Sequence, residues 1–446
     1  MIKVAMASLG CPKNQVDGEM LLATLQNNGF VITTDEYEAE VIIVNTCGFI
    51  SDAKKESIDT ILELTELKET ANLKCLVVTG CLAERYKKSI MAEIPEVDVV
   101  LGIGSNSVVA SAILECLEKN NKVERFADKL CLALDGERVL STPPHYAYLK
   151  IAEGCDNHCS YCAIPAIRGR FRSREMQNII DEATHLAKSG VRELIVVAQD
   201  TTRYGEDLYK KPMLATLLRK LCKIDGLVWI RVLYCYPERI TDELIEVMRD
   251  EPKICKYIDI PLQHISDNIL KAMNRKSTTE TIKTVLCKLR ENIPNITIRT
   301  TFIAGFPAES EENFAELCDF VKEQRFERLG CFSYSPEEDT KASTLPHQLD
   351  EETKRARAET IMREQQLILD EKNEARLGTS DIAVIESYSE LENLYFGRTQ
   401  SDAPEIDTFI CIRSNEPLEI GCFYEIEITE LLDFELYASA KNKVLR

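Results

Sequence analysis

The stretch Ile151-Ala-Glu-Gly-Cys155-Asp-Asn-His-Cys159-Ser-Tyr161-Cys162, continuing through Ile164-Pro165 to Arg168-Gly169-Arg170, decides how this chain is read. Three cysteines at C-x3-C-x2-C sit on one short loop, between an apolar strand-like run (Tyr146 to Ile151) and a helix-like segment. A structural zinc site needs a fourth Cys or His to complete its tetrahedron. Cys159 and Cys162 would supply half of one and His158 a third ligand, but no second local C-x2-C pair follows. Three thiolates suit an iron–sulfur cubane better, because soft sulfur selects iron sulfide and three ligands leave one iron open. A zinc-stabilised loop, or chance clustering among 17 cysteines, is the bland alternative.

Working outward, 446 residues suffice for roughly three domains. A hydrophobic content of 45% and a charged content of 29% are those of a soluble globular protein. Met1-Ile-Lys-Val-Ala reads as a strand and lacks the layout of a signal peptide, and no apolar run is long enough to span a bilayer. With scattered cysteines that read as thiols and metal ligands, this points to the cytoplasm. The net charge of −20 repels phosphate backbones and attracts basic proteins. Solubility alone is the commoner reason for such a charge.

Residues 1–140 alternate strand and helix. Strands are expected at 3–9, 41–46, 75–80 and 97–101, with helices at 16–27, 51–67 and 83–94 between them. This rhythm predicts a doubly wound parallel sheet. Cys11 follows the first strand, Cys47 the second and Cys81 the third, each beside a glycine. Ligands collect outside the carboxyl ends of such strands, so three cysteines remote in sequence are expected to converge on a second cluster. Buried free cysteine is common, so the trio alone is a weak signal. Asp135-Gly136 and Ser141-Thr-Pro143-Pro144 mark a boundary near residue 140.

From Tyr146 six strand candidates recur, at 146–152, 193–200, 228–234, 257–263, 296–306 and 328–334, with helical spacing between them. Six units fall short of a closed eightfold barrel, so a partial (β/α)6 barrel is expected, with its chemistry at the strand carboxyl ends. That rim carries the cysteine loop, Gln199-Asp200, Tyr234, Gln263-His264 and Glu309. Residues 350–376 read as a long helix. Strands at 381–387, 394–398, 408–412 and 424–431 then suggest a small antiparallel barrel of a kind that often binds nucleic acid. Residues 378–446 nevertheless carry 5 basic and 14 acidic side chains, a poor surface for tRNA and a suitable one for a lysine- and arginine-rich protein.

The whole chain resembles the methylthiotransferase branch of the radical S-adenosylmethionine (SAM) enzymes. Ser8-Leu-Gly-Cys11-Pro-Lys-Asn14 with Val16-Asp17-Gly-Glu19, and Gly397-Arg-Thr399 with Asp402-Ala-Pro-Glu405-Ile-Asp407, resemble the RimO type, which modifies an aspartate of small-subunit ribosomal protein twelve. The tRNA-modifying MiaB type has Gln-Met-Asn where Pro12-Lys13-Asn14 stands. The fifth barrel strand, Thr301-Phe-Ile-Ala-Gly305, lacks the first glycine of the wider superfamily's pattern.

The resemblance implies three units: residues 1–140 with a cluster on Cys11, Cys47 and Cys81; 141–376, the radical SAM barrel and its trailing helix; and 377–446, a TRAM domain. It implies two 4Fe–4S clusters, the one on Cys155, Cys159 and Cys162 chelating the amino and carboxylate groups of SAM. That cluster would cleave SAM to a 5′-deoxyadenosyl radical, which takes hydrogen from the β-carbon of the aspartate. The other cluster would deliver sulfur, and a separate SAM the methyl group. Tyr161 would flank the adenine, and Gln199, Asp200, Gln263 and Glu309 would line the SAM pocket. Arg168, Arg172 and Arg174 are candidates to pair with the SAM carboxylate or the substrate aspartate, because guanidinium forks match carboxylates. Implied partners are the basic ribosomal protein, an electron donor such as flavodoxin or ferredoxin, and a sulfur source. A tRNA methylthiotransferase, or a non-catalytic iron–sulfur or RNA-binding scaffold, would be the competing readings.

Overall fold

The structure, a computed structural model, describes residues 1–445. Its first sheet is wholly parallel, in the order β2-β1-β3-β4-β5-β6, built from β1 (Lys3–Ser8), β2 (Val31–Ile32), β3 (Val41–Thr46), β4 (Cys75–Gly80), β5 (Val99–Leu101) and β6 (Val123–Arg125). Every residue of β3 and β4 is buried, as a strand covered on both faces requires. Leu21 and Leu25 of the helix Pro12–Asn27 pack on one face with Ile113 of the helix Val109–Lys119. Ile61 and Leu82 cover the other. This is the doubly wound sheet that the alternation predicts. The edge strands β2 and β6 escape sequence reading because two or three residues are too few to show a period. The single helix expected over 83–94 is broken into Cys81–Tyr86 and Lys88–Glu93 at Lys87, whose φ is +41°.

The second sheet holds β7 (Tyr146–Lys150), then β10 (Glu193–Val197), β11 (Trp229–Val232), β12 (Ile254–Gln263), β13 (Thr297–Ala304) and β14 (Arg328–Ser333), paired parallel in chain order. It does not close on itself, so the expected partial barrel is present. A two-strand ribbon, β8 (Ala152–Glu153) with β9 (Arg172–Ser173), ties down the base of the cysteine loop. Leu149, Val196, Ile230, Ile258 and Ile298 form the core toward the outer helices. The helix Glu351–Glu374, capped by Asp350, buries Lys354, Arg357, Ile361, Gln365 and Ile368.

The last unit is a closed five-stranded barrel of β15 (Ser380–Ser389), β16 (Leu394–Thr399), β17 (Ile410–Arg413), β18 (Phe423–Leu432) and β19 (Glu435–Leu445), in the order β15-β16-β17-β19-β18. Neighbours are antiparallel except β17 and β19, which run parallel. The fifth strand was not among the four expected, since Glu435, Lys441 and Lys443 mask its alternation.

This barrel docks on the inner face of the open sheet through buried charge. Glu193 of β10 accepts from Arg231 Nε and from Arg398 Nη2, both at 2.8 Å, and Arg398 also pairs with Glu386 at 2.5 Å. Asp402 meets Arg328 at 2.5 Å, and Tyr257 donates to Asp407 at 2.7 Å. Tyr146 and Tyr148 each donate to Glu405 at 3.1 Å. Trp229 and Phe423 meet edge to face beside them. Burial pushes the Glu193 carboxyl up, but Arg398 and Arg231 bring it net below the ordinary glutamate value; burial likewise opposes His145 and Arg398 at Glu386, again with a net lowering. A depressed carboxyl stabilises the fold above its unfolded value, and that contribution disappears as pH falls through the folded one. Arg398→Met is therefore expected to destabilise the chain by about 3–5 kcal/mol at neutral pH, by leaving buried carboxylates short of a partner. Denaturant unfolding of both forms from pH 7 downward should show this gap narrowing as Glu193 and Glu386 protonate.

Candidate active site

Cys11, Cys47 and Cys81 come together at the carboxyl end of the first sheet, where the order 2-1-3 reverses direction. Cys11 caps the helix Pro12–Asn27, Cys47 follows β3 and Cys81 opens the helix after β4. Gly10 has φ +90°, and a Cβ there would lie 2.7 Å from Cys47 Cβ, so only glycine lets these two loops touch. Ser57 clamps Cys47, its hydroxyl donating to the Cys47 carbonyl at 2.9 Å and accepting from its N–H at 3.0 Å. Asn14 staples the loop: its side chain donates to the Leu9 carbonyl at 2.9 Å, and its own carbonyl accepts from Asn45 at 2.8 Å. Burial pushes the Cys47 thiol up and takes Cys81 up to about 12, against the pull of Arg168. Burial also opposes ionisation of Cys11, but Lys13 and Arg168, with the N–H groups of Asn14 and Lys13, bring it net below its ordinary value.

Cys155, Cys159 and Cys162 lie on the loop after β8. The loop is pinned from across the barrel mouth. Ser160 N–H donates to the Met273 carbonyl at 2.9 Å and its hydroxyl to Ala272 at 2.8 Å, while Ala342 N–H reaches the Ser160 carbonyl at 2.7 Å. Asn274 holds the His158 carbonyl at 2.8 Å, at a residue with φ +51°. Arg275 stacks on Tyr236 at 4.3 Å, with Nη1 3.9 Å from Cys159 Sγ. Burial raises Cys155 to about 11 and pushes Cys162 up as well. Loading either trio with metal therefore releases protons. Among the described residues no three His, Cys, Asp or Glu side chains could hold a single metal ion, and a four-iron cube spans a wider cage than one ion. Soft sulfur donors in threes fit such a cube.

The two trios adjoin. Cys81 packs against Ala163, next to Cys162, and against Ile167. Arg168, fully buried, reaches across the seam and donates to Cys81 Sγ from Nε at 3.3 Å and from Nη2 at 3.1 Å. Nη2 also donates to Asn14 at 2.9 Å, and Nη1 pairs with Asp17. Lys150 bonds Asp17 and, at 2.8 Å, Glu153; Gln199 donates to Glu153 at 2.8 Å. Burial pushes the Glu153 carboxyl up, but Lys150 and Arg168 carry it down to about 2.

The remaining candidates divide by what already occupies them. Gln199 keeps a buried Oε1 with no partner, a fitting contact for a polar ligand. Asp200 accepts from Asn157 at 2.8 Å and from Thr202 at 2.7 Å, so it orients the loop residue between Cys155 and Cys159. Gln263 ends β12 at φ +73°. Glu309 accepts from Gly305 N–H at 3.0 Å and from Arg357 at 2.7 Å, bracing the turn after β13. Tyr161 packs beside Phe306, Tyr334 and Met273. Arg172 donates to Leu130, on a different carbonyl from anything in the seam, with Nε and Nη2 unpartnered. Arg174 is held by Asp135 at 2.7 Å, Glu182 at 2.6 Å and the Lys150 carbonyl at 2.7 Å. Only Arg168 of the three arginines enters the space between the trios. Sequence reading assigned no role to Asp17, Lys150, Glu153, Tyr236 or Arg275. A lysine ending an otherwise apolar strand was the available signal for the first three, since buried charge demands a partner.

Residues 149–321 match the Radical SAM superfamily, residues 3–102 the uncharacterized protein family UPF0004 and residues 377–440 the TRAM domain. Ribosomal protein uS12 methylthiotransferase RimO of Clostridioides difficile is 50% identical over 436 residues, covering 98% of each chain. The protein of the same name from Lachnoclostridium phytofermentans is 48% identical over 441 residues, covering 99% of this chain and 100% of its own. The radical SAM methyltransferase TsrM of Kitasatospora setae, solved with cobalamin and a [4Fe-4S] cluster, superposes with a TM-score of 0.56 at 14% identity over 77% of each chain, a likeness of fold alone. Fold and site together define a radical SAM enzyme with an added amino-terminal sheet. The chain belongs to the RimO family of ribosomal protein uS12 methylthiotransferases.

Lys150→Met should lower stability by about 3–5 kcal/mol, because Asp17 and Glu153 would each lose a buried cation. Denaturant unfolding of the metal-free chain under reducing conditions measures it, and a loss below 1 kcal/mol would mean that the seam does not depend on this charge.

Proposed function

We propose that this chain adds a methylthio group to the β-carbon of an aspartate of ribosomal protein uS12. In this reading Cys155, Cys159 and Cys162 hold one 4Fe–4S cluster, at which SAM binds, and Cys11, Cys47 and Cys81 hold a second. The observation that supports it is the contact of Cys81 with Ala163 and Arg168, which brings a cysteine trio from each sheet to one shared seam. When bound, the first cluster with SAM supplies a radical able to abstract an unactivated hydrogen, the second supplies sulfur, and a further SAM supplies the methyl group. No acid or base side chain removes such a hydrogen near neutral pH.

The chain's own residues bind, orient and exclude water. Gln199 offers its free amide oxygen to SAM, and Tyr161 with Phe306 and Tyr334 forms an apolar wall for the adenine. Gln263 stays a candidate contact at the rim. Asp200 and Glu309 serve the pocket by holding its loops. Arg172 has two free guanidinium nitrogens. Its third, Nη1, donates to the Leu130 carbonyl, and a carboxylate of SAM or substrate is the partner we assign to the other two. Arg174 is a structural brace. We assign the three functional units to residues 1–140, 141–376 and 377–446. Among the described residues no helix is long and apolar enough to cross a membrane. Acting on a ribosomal protein, the chain would work in the cytoplasm. Reduction calls for a low-potential donor such as flavodoxin or ferredoxin, and turnover for a sulfur source.

Mass spectrometry of uS12 and of bulk tRNA, from cells with and without this gene, should show the methylthio mass lost from uS12 alone; loss from tRNA instead would refute the assignment. Cys155→Ala should abolish SAM cleavage. Cys47→Ala should leave SAM cleavage intact and uncoupled, with no sulfur transferred, both read by chromatography of 5′-deoxyadenosine and mass analysis of uS12. The anaerobically reconstituted chain should hold about eight irons, falling to about four in the triple alanine variant of either trio.

A further inference from the structure

Arg168 was expected beside a carboxylate of SAM or substrate, but its fork is committed elsewhere. Two of its nitrogens point at Cys81 Sγ, at 3.3 and 3.1 Å. The rest of the fork is held by Asn14 and Asp17, with Glu153 3.5 Å from Nη1. Asn14 and Asp17 belong to the amino-terminal helix, whereas Arg168 belongs to the short helix Ile164–Arg168 that follows the other trio. A guanidinium anchored by three acceptors cannot swing away, and it keeps its charge at any working pH. We propose that Arg168 is a positioning residue for the amino-terminal cluster: by donating to the sulfur of Cys81 from the opposite module, it raises that cluster's reduction potential and fixes its orientation toward the SAM-binding loop.

The physical ground is simple. Reduction adds negative charge to a cluster, and hydrogen bonds to its sulfurs, together with a nearby buried cation, favour the more negative form. Of the three thiols in this trio, only Cys81 receives a side-chain N–H bond in the structure. Lys13 adds a second cation at Cys11, but its ammonium lies 3.2 Å over the Tyr234 ring. A bidentate fork on one sulfur therefore gives Arg168 a direct influence on the potential, and it links that influence to the docking of the two modules.

This inference rests on the second-cluster assignment above, so the test separates the two. The full-length Cys155→Ala/Cys159→Ala/Cys162→Ala chain, reconstituted anaerobically, isolates the amino-terminal trio. If it binds no iron, the assignment itself fails. If it binds about four irons per chain, potentiometric titration followed by electron paramagnetic resonance gives the midpoint of that cluster alone. Adding Arg168→Met should shift this midpoint to a more negative value. Arg168→Lys, which keeps the charge and loses the fork, should shift it the same way by less. Should Arg168→Met fail to assemble a cluster, the Arg168→Lys shift alone decides. An unmoved or more positive midpoint in an assembled variant would overturn the inference, as would loss of iron from both variants, which would make Arg168 a requirement of assembly and not of tuning.

Discussion

The arrangement depends on a charge balance that neither module achieves alone. Within the barrel module the buried Lys150, Glu153 and Arg168 amount to two cations and one anion. Burying a net charge is costly, and the missing anion comes from Asp17 on the amino-terminal helix, which contacts both cations. The two sheets are therefore driven to one relative placement. In that placement the carboxyl end of the first sheet, with its cysteines, lies against the loop that carries the other three. Removing water from this seam also strengthens each ion pair within it.

The carboxyl-terminal barrel is joined by the same means on the barrel's inner face. Its acidity, which in the sequence suggested a surface for a basic partner, is partly directed inward. Glu386, Asp402, Glu405 and Asp407 all meet arginines, a histidine or tyrosines at the joint with the open sheet. The motif Asp402-Ala-Pro-Glu405-Ile-Asp407, which marked the family, thus serves the docking of the domain. Repulsion of phosphate backbones by the domain rests on its other acidic residues.

Much of this was legible before folding. Parallel strands covered on both faces announce themselves as unbroken apolar runs, and β3 and β4 did so. The contiguous trio needed only its spacing, and the dispersed one followed from the rule that strand carboxyl ends converge. What stayed hidden was which charged residues would meet. Arg168 lies three residues beyond Pro165 in a run of basic residues, and nothing local tells it apart from Arg172 or Arg174. Its partners Asn14, Asp17 and Cys81 are 154, 151 and 87 residues away. Side chains of Gln199 and Glu309 both sit on the rim as expected, yet one keeps a free acceptor and the other is fully engaged. That difference is decided by neighbours and not by strand position.

The central claim is that both trios hold clusters facing one seam. Electron paramagnetic resonance of the fully reconstituted, reduced chain tests it most directly, because two paramagnetic centres in adjoining sites broaden and split each other's signals. The account predicts a spectrum that differs from the sum of those of the two triple alanine variants, each carrying one cluster. A spectrum equal to that sum would place the centres far apart and contradict it.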